Sequence, residues 1–196
     1  MPAYHSIYLK AKGFKEIGNF PIFDLRGDRA KFPAPRLPYV PEARKEEDQD
    51  KPEIPPYDLY DCVDEILLVF RANVLFRNFE IKGPADRVLI YGTLFISECL
   101  GKIDPLWNSA EAQRALSNIA RTEFAIPGDA TFPLNQIFAP PGAGNEAELR
   151  NHIWKLRQAI ATGLHAMLYA DGAGPSKYWL SFAKRKFMGK SLEKSL

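Results

Sequence analysis

The chain has 196 residues, 46% hydrophobic and 12% aromatic, enough apolar material for one packed domain and too much for wholesale disorder. Its formal charge of +2 is nearly balanced, unlike the strongly basic balance of a dedicated nucleic-acid binder. Two cysteines, Cys62 and Cys99, lie in apolar helical patterns, which excludes a disulfide framework and predicts buried, reduced thiols.

In chain order, the opening MPAYHSIYLKAKG has no apolar stretch of the kind a signal peptide carries. No later apolar run approaches the ~20 residues of a membrane span, so a soluble, intracellular protein is expected. Residues 1–57 read as an irregular extension, because prolines 33, 35, 38, 41, 52, 55 and 56 forbid a long helix or central strand. Within it, the Pro-rich charged stretch at about 38–56, with RKEEDQDK at its centre, is expected to be a flexible loop. A single helical domain is expected over 58–196.

The first helix of that domain is predicted from a cap near Asp58 to about Asn78 or Phe79, with Val63, Ile66, Leu67, Phe70 and Val74 forming its apolar stripe. Gly83-Pro84 then punctuates, and Pro84 suits the first position of a second helix at about 84–101. That helix is apolar nearly all round through VLIYGTLFISECL, so it is expected at the centre with the others about it. A third helix is predicted over Ser109–Arg121, capped by Ser109 without a full capping box. The Pro- and Gly-rich stretch after it carries Phe124, Ile126, Phe132, Leu134 and Phe138 and is expected to be pinned to a surface. The fourth helix, Asn145–Ala170, repeats Leu149, Ile153, Leu156, Ile160, Leu164 and Met167 at spacings of three and four, with Trp154 and Leu168 widening the stripe. Asp171-Gly172 stops it, and Pro175 opens a fifth helix over Ser176–Met188. No alternating pattern of strand length occurs, so the fold class is all-α with about five helices.

Chemistry finds little purchase on these elements. His5, His152 and His165 fall at no metal-ligand spacing, and each is expected in a surface or capping role. PPGAGN at 140–145 lacks the Lys-Ser/Thr of a nucleotide loop, and GAGPSK at 172–177 follows a helix, so both read as turns between helices. Glu98, a lone carboxylate on the most apolar helix, is expected to pair with an Arg or Lys or to lie at an exposed edge. No Ser or Cys sits in a nucleophile elbow, and no cofactor, metal or catalytic group is expected. What remains is charge placement: Lys177, Lys184, Arg185, Lys186, Lys190 and Lys194 face a single acid, Glu193, with aromatics between them. That pattern suits an acidic protein surface, an anionic-membrane contact or a nucleic-acid patch, the last giving the alternative of a stand-alone nucleic-acid-binding helical module. It is equally what a solvated helix face with an apolar core side presents. Apolar docking surface is expected in the loops that hold Phe20, Phe23, Phe124, Phe132 and Phe138.

Several ordered stretches resemble a known family, subunit 3 of the actin-related protein 2/3 complex. They are MPAYHS (1–6), IGN (17–19), PAPR (33–36), the run DEILLVFRANVLFRNFEIKGPADRVLIYGTLFISECL (64–100), FAIPGDATFPLNQIFA (124–139) and PSKYWLSFAKRKFMGKSL (175–192). The segment at about 37–57 and the helix around 105–121 depart from the family pattern, and nothing is carried across them. The resemblance implies a helical, non-catalytic subunit of a seven-subunit assembly that nucleates branched actin filaments, with nucleotide held by other subunits. It further implies association with the actin-related protein 3 subunit, contact with the mother filament, and a place in the cytoplasmic actin cytoskeleton, in cortical patches or leading-edge networks. No nucleic-acid partner and no membrane span are expected on this reading.

Overall fold

The computed structural model describes residues 3–25, 61–172 and 174–192. The charged loop at 38–56, the PAPR stretch and the 57/58 boundary lie outside those residues. After a short 3-10 turn at Ile7–Lys10 come β1 (Lys15–Ile17), β2 (Phe20–Ile22), α1 (Cys62–Asn73), α2 (Pro84–Lys102), α3 (Ser109–Arg121), α4 (Glu146–Leu168) and α5 (Lys177–Leu180). A second 3-10 turn at Phe187–Gly189 closes the described chain.

The helical class stands, with α2 at its centre. Pro84 occupies its first turn, as its fixed φ and missing N–H favour. Val88, Leu89, Ile90, Tyr91, Leu94, Phe95 and Ile96 are all buried, so nearly every face is covered. The neighbours that cover it are α1, α4, β2, the first 3-10 turn and α5, while α3 packs chiefly on α4. Gly92 sets the α1–α2 approach: a Cβ there would stand 2.6 Å from Ile66 side-chain atoms.

Several boundaries differ from the sequence reading, each for a local reason. The first helix is capped by Asp61, not near Asp58, through a capping box with Asp64. It ends at Asn73 because the chain then turns to carry Phe79 into the core, where it meets Phe187 at 5.6 Å. The third helix has the full capping box the sequence reading denied it, formed by Asn108 and Glu111 one residue earlier than the expected cap. Asn145 precedes α4 without donating a side-chain cap. Trp154 faces outward rather than widening the stripe of α4. The fifth helix is cut to four residues. Beyond Leu180 the backbone runs on in tight turns, and the Met188 N–H donates to the Phe76 carbonyl at 3.0 Å, a bond no continuous helix could make.

The N-terminal segment holds an unanticipated β-hairpin. Lys15 pairs with Ile22 and Ile17 with Phe20 across a Gly18-Asn19 turn. Gly18 has φ +63, a region that penalises any Cβ, and a Cβ there would also stand 2.5 Å from the Ala139 carbonyl oxygen. Asn19 completes the junction: its amide donates to the Ile137 carbonyl at 3.2 Å and its oxygen accepts from the Ala139 N–H at 2.8 Å. Two of the resembling stretches, IGN and the end of FAIPGDATFPLNQIFA, are therefore one contact in space. Ile17 and Phe20 belong to the same core as the helices, so this part of the expected extension packs as part of the body.

Candidate partner-contact surface

The basic segment after α4 is rigidly mounted. Trp179 is buried and stacks on Phe70 of α1, with ring centroids 5.8 Å apart and planes 9° from parallel. Arg71 lies over the Tyr178 ring at 4.9 Å and the Trp179 ring at 5.4 Å, a cation–π clamp across the same junction. Phe187 is the second anchor, fully buried beside Phe79. Between and around these plugs Lys177, Lys184, Arg185, Lys186 and Lys190 are all exposed. Lys194 lies outside the described residues. Two aromatic side chains thus fasten the backbone that carries the described cations, of which Lys184, Arg185, Lys186 and Lys190 line one cleft.

The other expected contacts fare differently. Phe20, Phe132 and Phe138 are not surface residues: they are buried, Phe20 against Phe138 at 6.0 Å and Phe132 edge-on to Phe138 at 5.6 Å. The hairpin and the 124–139 loop cover each other, which removes the face those rings were expected to offer. Phe23 and Phe124 are half-buried. Among the described residues the large apolar side chains that do reach solvent are Leu106 (91% exposed), Tyr178 (58%), Leu75 (56%), Tyr4 (49%) and Trp154 (39%). Leu106 sits in the Asp-Pro-Leu-Trp turn, outside any periodic stripe, and that isolation is the one sequence signal that marked it.

Several polar groups inside the body pair with other elements of the fold. Arg157 of α4 is buried between the Phe95 ring at 4.3 Å and the Phe124 ring at 4.7 Å. It donates to the Ile119 carbonyl at 2.8 Å and the Ala120 carbonyl at 3.4 Å, filling orphan acceptors at the end of α3. Glu98 has the expected basic partners, with Lys102 at 3.3 Å and Arg157 at 4.0 Å. Glu98, Lys102 and Arg157 line a cleft of about 800 Å³ that also holds Glu123, Asp129 and Arg150, so its acids and bases balance. His152 corrects the surface expectation: it is buried against Phe20, and burial holds its imidazole down to about 4. His5 pairs with Asp86 at 2.9 Å, and the His165 Nε2 lies 3.0 Å from both the hydroxyl and carbonyl oxygens of Ser109. Cys62 and Cys99 are buried and form no disulfide, and burial pushes the Cys99 thiol up, away from reactivity. Among the described residues no group of three or more His, Cys, Asp or Glu side chains is placed to hold a metal ion. No described helix is long and apolar enough to cross a membrane.

Comparison with known proteins places this architecture. The family model described as P21-Arc: ARP2/3 complex ARPC3 (21 kDa) subunit matches residues 1–192. Actin-related protein 2/3 complex subunit 3 of Schizosaccharomyces pombe is 44% identical over 194 residues, covering 98% of this chain and 100% of the relative. The protein of the same name from Dictyostelium discoideum is 40% identical over 192 residues, with 96% and 99% covered. That from Saccharomyces cerevisiae is 38% identical over 198 residues, with 98% and 100% covered.

Proposed function

Because the chain belongs to the family of subunit 3 of the actin-related protein 2/3 complex, we propose that it serves as a non-catalytic structural subunit supporting the nucleation of branched actin filaments. Its partners on this reading are the actin-related protein 3 subunit, the other subunits of the complex and the mother filament. Its place is the cytoplasmic actin cytoskeleton, in cortical patches or leading-edge networks. The basic face meets the acidic surface of the filament, while Leu106, Leu75 and Tyr178 offer apolar contact to neighbouring subunits. Phe23 and Phe124, still partly accessible, complete that apolar set.

The observation that carries this reading is the mounting of the cations. Lys177, Lys184, Arg185, Lys186 and Lys190 are exposed on a backbone fastened by Trp179 and Phe187, so contact through them costs little backbone ordering. Charge arranged in this way steers encounter and makes it salt-sensitive. The test is a complex reconstituted with Lys184→Glu, Arg185→Glu and Lys186→Glu, followed by counting of branches per length of mother filament. Branch density is expected to fall while subunit stoichiometry holds. Unchanged density would remove the basic face from the filament contact.

A further inference from the structure

We propose that the small cleft between the C-terminal half of α2 and the basic segment binds a compact, multiply phosphorylated anion. The cleft has a volume of about 190 Å³ and is walled by Leu94, Gly101 and Ala183. Lys184, Arg185, Lys186 and Lys190 stand on its other side. Some cations of the body are matched: Lys15 with Glu148 at 2.6 Å, Arg150 with Asp129 at 3.2 Å, and Lys102 and Arg157 with Glu98. Lys184, Arg185, Lys186 and Lys190 have no acidic partner among the described residues. What sets them apart from other unpaired cations is that all four line one concave place, which is strongly positive.

Among the described residues two negative features adjoin the cleft, and both are outweighed. Glu98 lines it, but its carboxylate is already held by Lys102 and Arg157. The carbonyl end of α2 presents about half an elementary negative charge, against four full positive ones. The chemistry of the cations narrows the ligand. Arg185 supplies a planar fork suited to two phosphate oxygens, and the lysines supply point charges that adapt to several geometries. The volume suits a dense anion rather than an extended chain. A free polyphosphate and a phosphoinositide headgroup share this chemistry. The site stands whether or not the same face meets a filament.

The test is titration of the full chain with tripolyphosphate at fixed ionic strength, read by calorimetry and by amide NMR shifts at Gly101 and Ala183. Lys186→Glu with Lys190→Glu is expected to weaken binding about tenfold or more, since two of four attractive contacts reverse sign. Gly101→Leu fills the cleft without altering charge, and the nearest atom to a Cβ there is the Ala183 carbonyl oxygen at 3.9 Å, so the fold accommodates it. It is expected to weaken binding several-fold. Lys10→Glu with Lys12→Glu, on exposed cations elsewhere, is expected to change nothing. Absence of binding, equal weakening by the Lys10 and Lys12 pair, or indifference to Gly101→Leu would each overturn the site. Vesicles bearing a phosphoinositide bisphosphate form the second arm: capture by them with the same variant order identifies a lipid headgroup, and tripolyphosphate binding without capture identifies a free ligand. No filament is present, so failure here leaves the branching result to stand or fall alone.

Discussion

Ser6 and Glu65 are separated by 59 positions in the chain, yet the Ser6 hydroxyl donates to a Glu65 carboxylate oxygen at 2.8 Å inside the fold. The second Glu65 oxygen accepts the Ile7 N–H at 2.6 Å. One turn away in space, Asp86 accepts the Ser6 N–H at 2.8 Å and pairs with His5, while Asn73 exchanges two hydrogen bonds with the Tyr4 backbone. Buried side chains of α1 and α2 therefore take the place of a neighbouring strand for residues 4–7.

The first prediction follows from that latch. Ser6→Ala leaves a buried carboxylate oxygen short of a donor, which costs about 1–3 kcal/mol. The measurement is hydrogen exchange of residues 4–10 together with chemical denaturation. Faster exchange confined to this segment and to the start of α1 is the expected outcome, and unchanged protection would show that the Asp86 and Asn73 contacts suffice.

A second prediction concerns pH, where two buried groups oppose each other. Burial raises Glu65 from 4.5 to about 7, so the folded state holds that proton more tightly and stability from this group falls as pH rises toward 7. Burial lowers His152 from 6.5 to about 4, so the unfolded state holds that proton more tightly and stability from this group falls as pH drops from 6.5 toward 4. Each shift corresponds to about 3 kcal/mol at full span, with opposite sign over nearly the same window. The wild-type stability curve between pH 4.5 and 6.5 is therefore expected to be flatter than either variant's. His152→Phe should become more stable on acidification relative to wild type, and Glu65→Gln less so. Parallel curves for all three proteins in denaturant titrations would contradict the assignment.

How far these features could be read beforehand depends on whether local pattern or long-range cover decides them. The α2 helix was legible because Pro84 and an apolar surface on every side leave it only the interior. The seam of α4 was legible for the same kind of reason, in the spacing of Leu149, Ile153, Leu156, Ile160 and Leu164. Phe20 and Phe138 were not, because a ring in a loop is docking surface or core according to what covers it, and each covers the other. The fifth helix was overread: Tyr178, Trp179 and Phe182 keep helical spacing, but the bond from Met188 to Phe76 pulls the chain away after Leu180. Glu65 and Asp86 carried no local signal, since their partners Ser6 and His5 lie far off in sequence. The basic segment was legible as charge, and its rigidity became visible only with Phe70 and Phe79 in place.

A third prediction tests the α1–α2 approach. Gly92→Ala would place a Cβ 2.6 Å from the Ile66 side chain, which is itself fully buried. The helices must separate or Ile66 must leave its rotamer, at a cost of about 1–3 kcal/mol despite the better helix propensity of alanine. The double variant Gly92→Ala with Ile66→Ala removes all three Ile66 atoms that a Cβ at position 92 would meet, so its loss is expected to be smaller than the sum of the two single losses. A single variant with undiminished thermal stability would show that the core yields at this contact.

The last prediction concerns Arg157, whose guanidinium is held between two aromatic rings and satisfies carbonyls at the end of α3. Arg157→Met keeps much of the apolar stem but removes donors from Ile119 and Ala120 and withdraws one partner from Glu98. Removing one member of a buried charge pair typically costs about 3–5 kcal/mol, more than the pair's own contribution, because the remaining charge stays buried. Here Lys102 still reaches Glu98 at 3.3 Å, so the lower end of that range is expected. Glu98→Gln in the Arg157→Met background should then recover stability rather than lose more, because it neutralises the stranded carboxylate. Additive losses in a double-mutant cycle would mean that the α3 carbonyls, and not Glu98, account for the whole effect.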